Sequence, residues 1–221
     1  MTGSWQRGLY AVADHPLTGD SDLSAQIDAA IAGGAVLVQY RDKTGDVAQR
    51  VARACAVLQC CRARRVPLII NDDVALAAAV DADGVHLGRD DATVAMARHR
   101  LGSRAIIGVS CYNQLTRAIA AAEAGADYVA FGRFFPSRTK PHAVQAEADL
   151  LVRAKQRLTI PLVAIGGITA DNGAALIEAG ADLLAAIHGV FGQADVTAAA
   201  RRIAGLFADQ TSNHRRKAFG V

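Results

Sequence analysis

Gln39, Arg41 and Lys43 stand at every second position where the apolar run VLVQYRDK (36–43) turns polar. In an extended chain alternate side chains share a face, so a neutral amide and two cations are expected to point into one cavity. Fixed cations in a cavity call for an anion; the simpler alternative is a strand-end ion-pair cluster with Asp42 or Asp46. Asn71 and Asp72 follow the apolar run VPLII, and Asp91 closes DGVHLGRDD. Asp72 and Asp91 would end neighbouring strands and suit one Mg²⁺, an ion commonly held by one or two carboxylates together with substrate phosphates. Each could instead cap the helix that follows it. With Asn71 as amide donor, the cations and carboxylates describe a pyrophosphate–Mg²⁺ site.

A second set of anion ligands lies in FFPSRTKPHA, where Pro136 and Pro141 restrict a loop carrying Ser137, Thr139 and Lys140. AIGGI ends another apolar run with Gly166 and Gly167, whose backbone N–H groups can face a phosphate, although a tight strand-to-helix turn has the same signature. His86 reads as a packed, hydrogen-bonded core residue and His142 as a loop residue, neither with a proton-transfer role. No Ser/His/Asp or Cys/His set suggests a protein nucleophile.

These groups need a scaffold that brings strand ends together. Short β-branched runs alternate with Ala-rich segments of helical period along the whole chain. Strands are expected at 8–14, 36–42, 66–72, 83–88, 104–110, 127–134, 160–167 and 182–189. Helices are expected at 24–32, 47–64, 74–80, 92–99, 114–124, 149–156, 171–178 and 197–206. Strand–helix alternation implies right-handed βαβ crossovers and a parallel sheet. Eight such units close into a (β/α)8 barrel, an α/β TIM barrel in one domain, whose chemistry belongs at the C-terminal strand ends. A weak repeat supports the count: IAGGAVLVQY, EAGADYVAFG and EAGADLLAAI each place Gly between helix and strand, as a left-handed helix cap requires. An open doubly wound sheet is disfavoured because no G-x-G-x-x-G follows the first strand.

At 221 residues, 52% hydrophobic and 5% aromatic, the chain can bury one large core. The domain is placed at 1–210. The formal charge of +3 arises in 211–221, which carries Arg215, Arg216 and Lys217 and no acid, and this basic tail is expected to be disordered. A neutral body argues against nucleic acid as a partner. No apolar run approaches the roughly 20 residues that span a bilayer and no secretory h-region is visible, so a cytoplasmic protein without membrane contact is expected. Cys55, Cys60, Cys61 and Cys111 show no zinc spacing and read as reduced packing residues. Small-molecule substrates are expected, and homo-oligomer formation is left open.

Taken together, QYRDK resembles the Q-L-R-E-K signature of the thiamine phosphate synthase family. INDD, DGVHLGRDD, IGVS, FGRFFPSRTK and AIGGI match that family in order and at similar spacing, from about Leu9 to Phe207. The resemblance implies a transferase that joins 4-amino-2-methyl-5-(diphosphooxymethyl)pyrimidine to 4-methyl-5-(2-phosphooxyethyl)thiazole, giving thiamine phosphate and pyrophosphate. It implies that Gln39 contacts the pyrimidine, that Arg41, Lys43, Asn71 and Lys140 hold the pyrophosphate, and that Asp72 and Asp91 bind Mg²⁺. Ser110 would help position the departing pyrophosphate, while Ser137, Thr139 and Gly167 would line the thiazole phosphate site.

Two positions depart from the family pattern. Ser137 stands where Thr is usual, which keeps the hydroxyl. Ile187–His188 replaces an Ile-Ser pair at the thiazole phosphate, where His188 and the following backbone could still donate. A thiazole tautomerase-like isomerase on the same barrel would not need the pyrophosphate–Mg²⁺ set, and a non-catalytic phosphate-ligand-binding barrel would have lost several of its charges.

Overall fold

The computed structural model describes residues 4–18, 23–137 and 144–218. Its strands are β1 (Gly8–Asp14), β2 (Ala35–Arg41), β3 (Leu68–Asn71), β4 (Gly84–Leu87), β5 (Ile106–Tyr112), β6 (Tyr128–Phe131), β7 (Leu162–Ile165) and β8 (Leu183–Ala186). All neighbours pair in parallel, and β1 pairs with β8 to close an eight-stranded barrel in sequence order. The expected (β/α)8 architecture is therefore the observed one.

The outer ring comprises α1 (His15–Thr18), α2 (Leu23–Ala32), α3 (Val47–Arg64), α4 (Val74–Val80), α5 (Val94–Leu101), α6 (Leu115–Glu123), α7 (Asp149–Lys155), α8 (Gly173–Glu178), α9 (His188–Phe191) and α10 (Val196–Ala218). The α3 and α4 boundaries agree with the sequence reading because strong caps set them. Asp46 accepts from the Gln49 N–H at the start of α3, and Arg65 ends it in the left-handed conformation; Asp73 accepts from Leu76 N–H at the start of α4. The helix expected to stop at Leu206 runs on to Ala218, through most of the basic segment.

Side chains alternate across each strand. Leu9, Ala11 and Ala13 face the helices, while Tyr10 and Val12 join Leu37, Ile69, Tyr128, Val163, Leu183 and Ala185 in a separate cluster filling the barrel. Gly108 makes room there: it sits beside Tyr128 in the register, and a Cβ on it would fall 1.9 Å from the tyrosine Cζ. The repeat noticed in the sequence has the expected backbone, with Gly34, Gly125 and Gly180 all at positive φ.

Two of these segments, and the DAD turn before β4, also supply an aspartate just ahead of a strand. Asp83, Asp127 and Asp182 each precede a strand, and each accepts a backbone N–H at the start of the strand before it: Leu68 at 2.8 Å, Ile107 at 2.8 Å and Leu162 at 2.9 Å. Arg98 pairs with Asp127 and Lys155 with Asp182. These carboxylates stitch the N-terminal rim, the end of the barrel where polar groups serve stability. None of the four cysteines is in a disulfide, and burial pushes the Cys61 and Cys111 thiols up to about 12.

Candidate active site

The C-terminal strand ends open into one cavity. Gln39, Arg41, Asn71, Asp72, Ser110, Ser137, Gly167, Ile187 and His188 all line it. Thr139, Lys140 and His142 lie outside the described residues.

β2 delivers two of the three expected groups to the cavity. Gln39 is buried and Arg41 shares its inward direction, but β2 ends at Arg41, so Lys43 belongs to the following loop. Lys43 reaches the rim through Asp72, with Nζ 3.1 Å from Oδ2. The ion-pair alternative is also partly met, with other partners than expected. Arg41 pairs with Asp14, its register neighbour on β1. Asp42 pairs with Arg53 at 3.0 Å, and Asp46 is the α3 cap.

Asp42 organises that loop. Its carboxylate accepts from the Tyr40 hydroxyl at 2.8 Å, and from both the backbone N–H and the hydroxyl of Thr44 at 2.7 Å. Burial alone would raise its pKa, but these donors outweigh burial and hold the carboxyl below its usual value.

Capping, the alternative role for Asp72 and Asp91, falls away. Asp73 caps α4 and Thr93 caps α5, which leaves the Asp72 carboxylate on the cavity wall and that of Asp91 beside it at the lining residue Gly88. Asp72 adopts a left-handed backbone, φ 65°, with its N–H bonded to His86 O at 2.8 Å; non-glycine residues in that conformation concentrate at functional sites. Asp91 Oδ2 accepts the Gly88 N–H at 2.6 Å, and the Asp72 and Asp91 carboxyls are close enough to perturb each other's ionisation. Burial raises Asp91, and the neighbouring Asp72 carboxylate raises it further. Asp72 is pulled the other way: burial is outweighed by the hydrogen bond from Asp91 and by Lys43. Two neighbouring carboxyls whose ionisations oppose each other suit a divalent cation. No group of three or more metal-ligating acids, histidines or cysteines occurs among the described residues.

The eighth strand is shorter than expected. It stops at Ala186, and Ile187–His188 form the entry to α9, with His188 on the cavity wall. Gly167 lies opposite at φ 64°, where a Cβ would come 2.4 Å from Pro136 O. The GG turn therefore holds the loop carrying Ser137 against the cavity by close backbone approach.

Four residues had not been singled out for the site. Tyr10 and Tyr128 bring hydroxyls to the cavity floor, hydrogen-bonded to each other at 2.8 Å. His86, read only as core, joins Tyr128 to Ser110. Arg117 on α6 donates to Ser110 O at 2.8 Å and Gly88 O at 3.0 Å, tying the Ser110 strand to the Asp91 loop. The available signal was inward register: Tyr10 and Tyr128 fall in step with the barrel-filling residues of their strands.

Comparison with known proteins agrees with this geometry. A family model described as thiamine monophosphate synthase matches residues 9–190. The chain is 53% identical over 194 residues to the thiamine-phosphate synthase of Nitrosococcus oceani, covering 88% of this chain and 89% of that protein. It is 55% identical over 203 residues to the thiamine-phosphate synthase of an Azoarcus species, covering 91% and 98%. The solved thiamine phosphate pyrophosphorylase from Pyrococcus furiosus superposes with a TM-score of 0.84 at 31% identity, covering 93% of this chain and 97% of that one. A cation-and-carboxylate rim over a closed barrel and similarity along nearly the whole chain lead to one conclusion: this chain belongs to the thiamine monophosphate synthase family.

Proposed function

We propose that this chain is a transferase that joins 4-amino-2-methyl-5-(diphosphooxymethyl)pyrimidine to 4-methyl-5-(2-phosphooxyethyl)thiazole. The bond between the pyrimidine methylene carbon and the pyrophosphate oxygen breaks, a bond from that carbon to the thiazole nitrogen forms, and thiamine phosphate and pyrophosphate leave. The observation that carries the reading is the convergence of Lys43, Asp72 and Asp91 on the rim of a cavity lined by Gln39, Arg41, Asn71 and Ser110.

Asp72 and Asp91 fit a divalent cation because neither is spent on a cap and each already disturbs the other's ionisation. With only two carboxylates to offer among the described residues, they suit Mg²⁺ completed by water and substrate phosphate. When bound there, Mg²⁺ would neutralise charge developing on the leaving pyrophosphate.

The chain's own groups divide the remaining work. Lys43 is exposed and its pair with Asp72 is worth at most about 1 kcal/mol, so its ammonium can exchange to a phosphate oxygen. Arg41, Asn71 and, from the sequence, Lys140 add donors that strengthen as charge accumulates on the leaving group. Gln39 would hold the pyrimidine, whose electron-rich ring stabilises the methylene cation. The Gly167 backbone, Ser137, Thr139 and His188 would hold the thiazole phosphate. A tautomerase has no use for the pyrophosphate-side charges, and these are intact.

The test is formation of thiamine phosphate, followed as fluorescent thiochrome, from the two substrates with Mg²⁺ and with EDTA. Metal-dependent product is expected, with Asp91→Ala folded but inactive. No product from folded wild-type protein would overturn the synthase reading, and full activity in Asp91→Ala would overturn the metal role.

A further inference from the structure

Five side chains form an unbroken hydrogen-bonded chain across the barrel floor. Gln39 Nε2 donates to Tyr10 Oη at 2.7 Å, Tyr10 Oη meets Tyr128 Oη at 2.8 Å, and Tyr128 Oη meets His86 Nδ1 at 2.9 Å. His86 Nε2 then meets Ser110 Oγ at 2.8 Å. Both phenols are completely buried, and desolvation raises each above its ordinary value, so they remain neutral hydroxyls with one proton apiece. The Tyr128 ring also stacks on His86, with centroids 5.6 Å apart.

The amide at one end decides the direction of every bond in this chain. A carboxamide nitrogen can only donate, so Tyr10 accepts from Gln39 and passes its own proton to Tyr128. If Tyr128 donated to Tyr10 instead, the buried Tyr10 proton would have no acceptor among the described residues, at a cost of about 1–3 kcal/mol. Tyr128 therefore donates to His86 Nδ1, which must be unprotonated, and the imidazole carries its proton on Nε2. Ser110 accepts that proton's hydrogen bond, and its own hydroxyl hydrogen is left over.

We propose that His86 is a positioning residue: held as the neutral Nε2–H tautomer by Tyr128, it makes Ser110 present its hydroxyl hydrogen to the cavity, as a donor to the departing pyrophosphate. The polarity is intrinsic to the fold, and only its catalytic use rests on the synthase reading. The opposite amide orientation would reverse all four bonds. Ser110 would then donate to His86 and face the cavity with lone pairs alone, which repel a phosphate oxygen.

Two measurements separate the inference from that reading. Nitrogen-15 NMR of histidine-labelled enzyme, with His86 assigned by its loss in His86→Gln, reports the tautomer whether or not the enzyme turns over. The Nε2–H form is expected, and an Nδ1–H form overturns the proposal. In turnover, His86→Phe should lower kcat about 10- to 100-fold with KM for the thiazole phosphate unchanged. His86→Gln, whose amide N–H can replace the Nε2 donor, should recover most of that loss. In a Ser110→Ala background His86→Phe should cost less than about threefold, because the group it positions is gone. An equal loss in both backgrounds would mean that His86 acts on something other than Ser110 and would overturn the proposal. Should His86→Phe fail to fold, Tyr128→Phe keeps the packing, deletes only the hydroxyl, and is expected to lower kcat through the same Ser110-dependent cycle. A protein that makes no thiamine phosphate yet shows the Nε2–H form would sink the functional reading and leave the polarity standing.

Discussion

The loop that presents Lys43 depends on one carboxylate, and removing it should be costly. Asp42 has a fully buried side chain and answers donors from three residues, Tyr40 Oη, the N–H and hydroxyl of Thr44, and Arg53, the last only 17% exposed. In Asp42→Ala the Tyr40 hydroxyl loses this acceptor and the Arg53 guanidinium loses this carboxylate. Breaking a buried pair by deleting one partner costs about 3–5 kcal/mol. Arg53 keeps some contact with water and with Gln49 Oε1 at 3.4 Å, which favours the lower end, about 3 kcal/mol. For a chain of this size that corresponds to a fall in Tm of about 6–12 °C. Asp46→Ala removes an exposed helix cap one turn away and should cost only about 1 kcal/mol. Thermal and urea unfolding of the two variants provide the comparison; equal losses would refute the central role given to Asp42. The pH dependence gives a second check. Because the folded carboxyl lies below its unfolded value of about 3.9, its contribution is present above that value and disappears as pH falls through the folded one. The stability gap between wild type and Asp42→Asn should therefore be flat from neutral pH to about pH 5 and close below about pH 4; a gap that widens toward acid would contradict the assignment.

Other consequences are equally open to measurement. Gly167→Ala forces a side chain into a left-handed backbone 2.4 Å from Pro136 O; KM for the thiazole phosphate should rise at least about tenfold, and an unchanged KM would remove Gly167 from that site. Native protein treated with a thiol reagent should react at Cys55 and Cys60 while Cys61 and Cys111, buried and pushed up to about 12, wait for unfolding; rapid labelling of all four would show a looser packing than described. Asp127→Ala, at the end of the barrel away from the chemistry, orphans the Ile107 N–H and should lower stability by about 1–3 kcal/mol with kcat unchanged; a stability equal to wild type would dismiss the stitching role of these aspartates.

The alternation of β-branched runs with Ala-rich helices was enough to determine a barrel, because periods of two and 3.6 residues and the handedness of βαβ crossovers leave few topologies for eight units. Local chemistry likewise set the ends of α3 and α4, since an Asp cap and a left-handed stop act over only a few residues. The polar strand ends identified most of the cavity lining, from Gln39 to His188. What the sequence left open was pairing between strands. That Arg41 meets Asp14 and that Lys43 reaches Asp72 from a loop follow from barrel register and closure, whereas which of two adjacent polar residues caps α4 or α5, freeing Asp72 and Asp91, is decided by backbone conformation at the helix start. The floor was least legible. Tyr10, His86 and Tyr128 stand far apart in the chain, each among apolar residues that give no local sign of a partner. Only closure brings their inward-facing side chains within hydrogen-bond reach, where burial obliges each polar atom to find another.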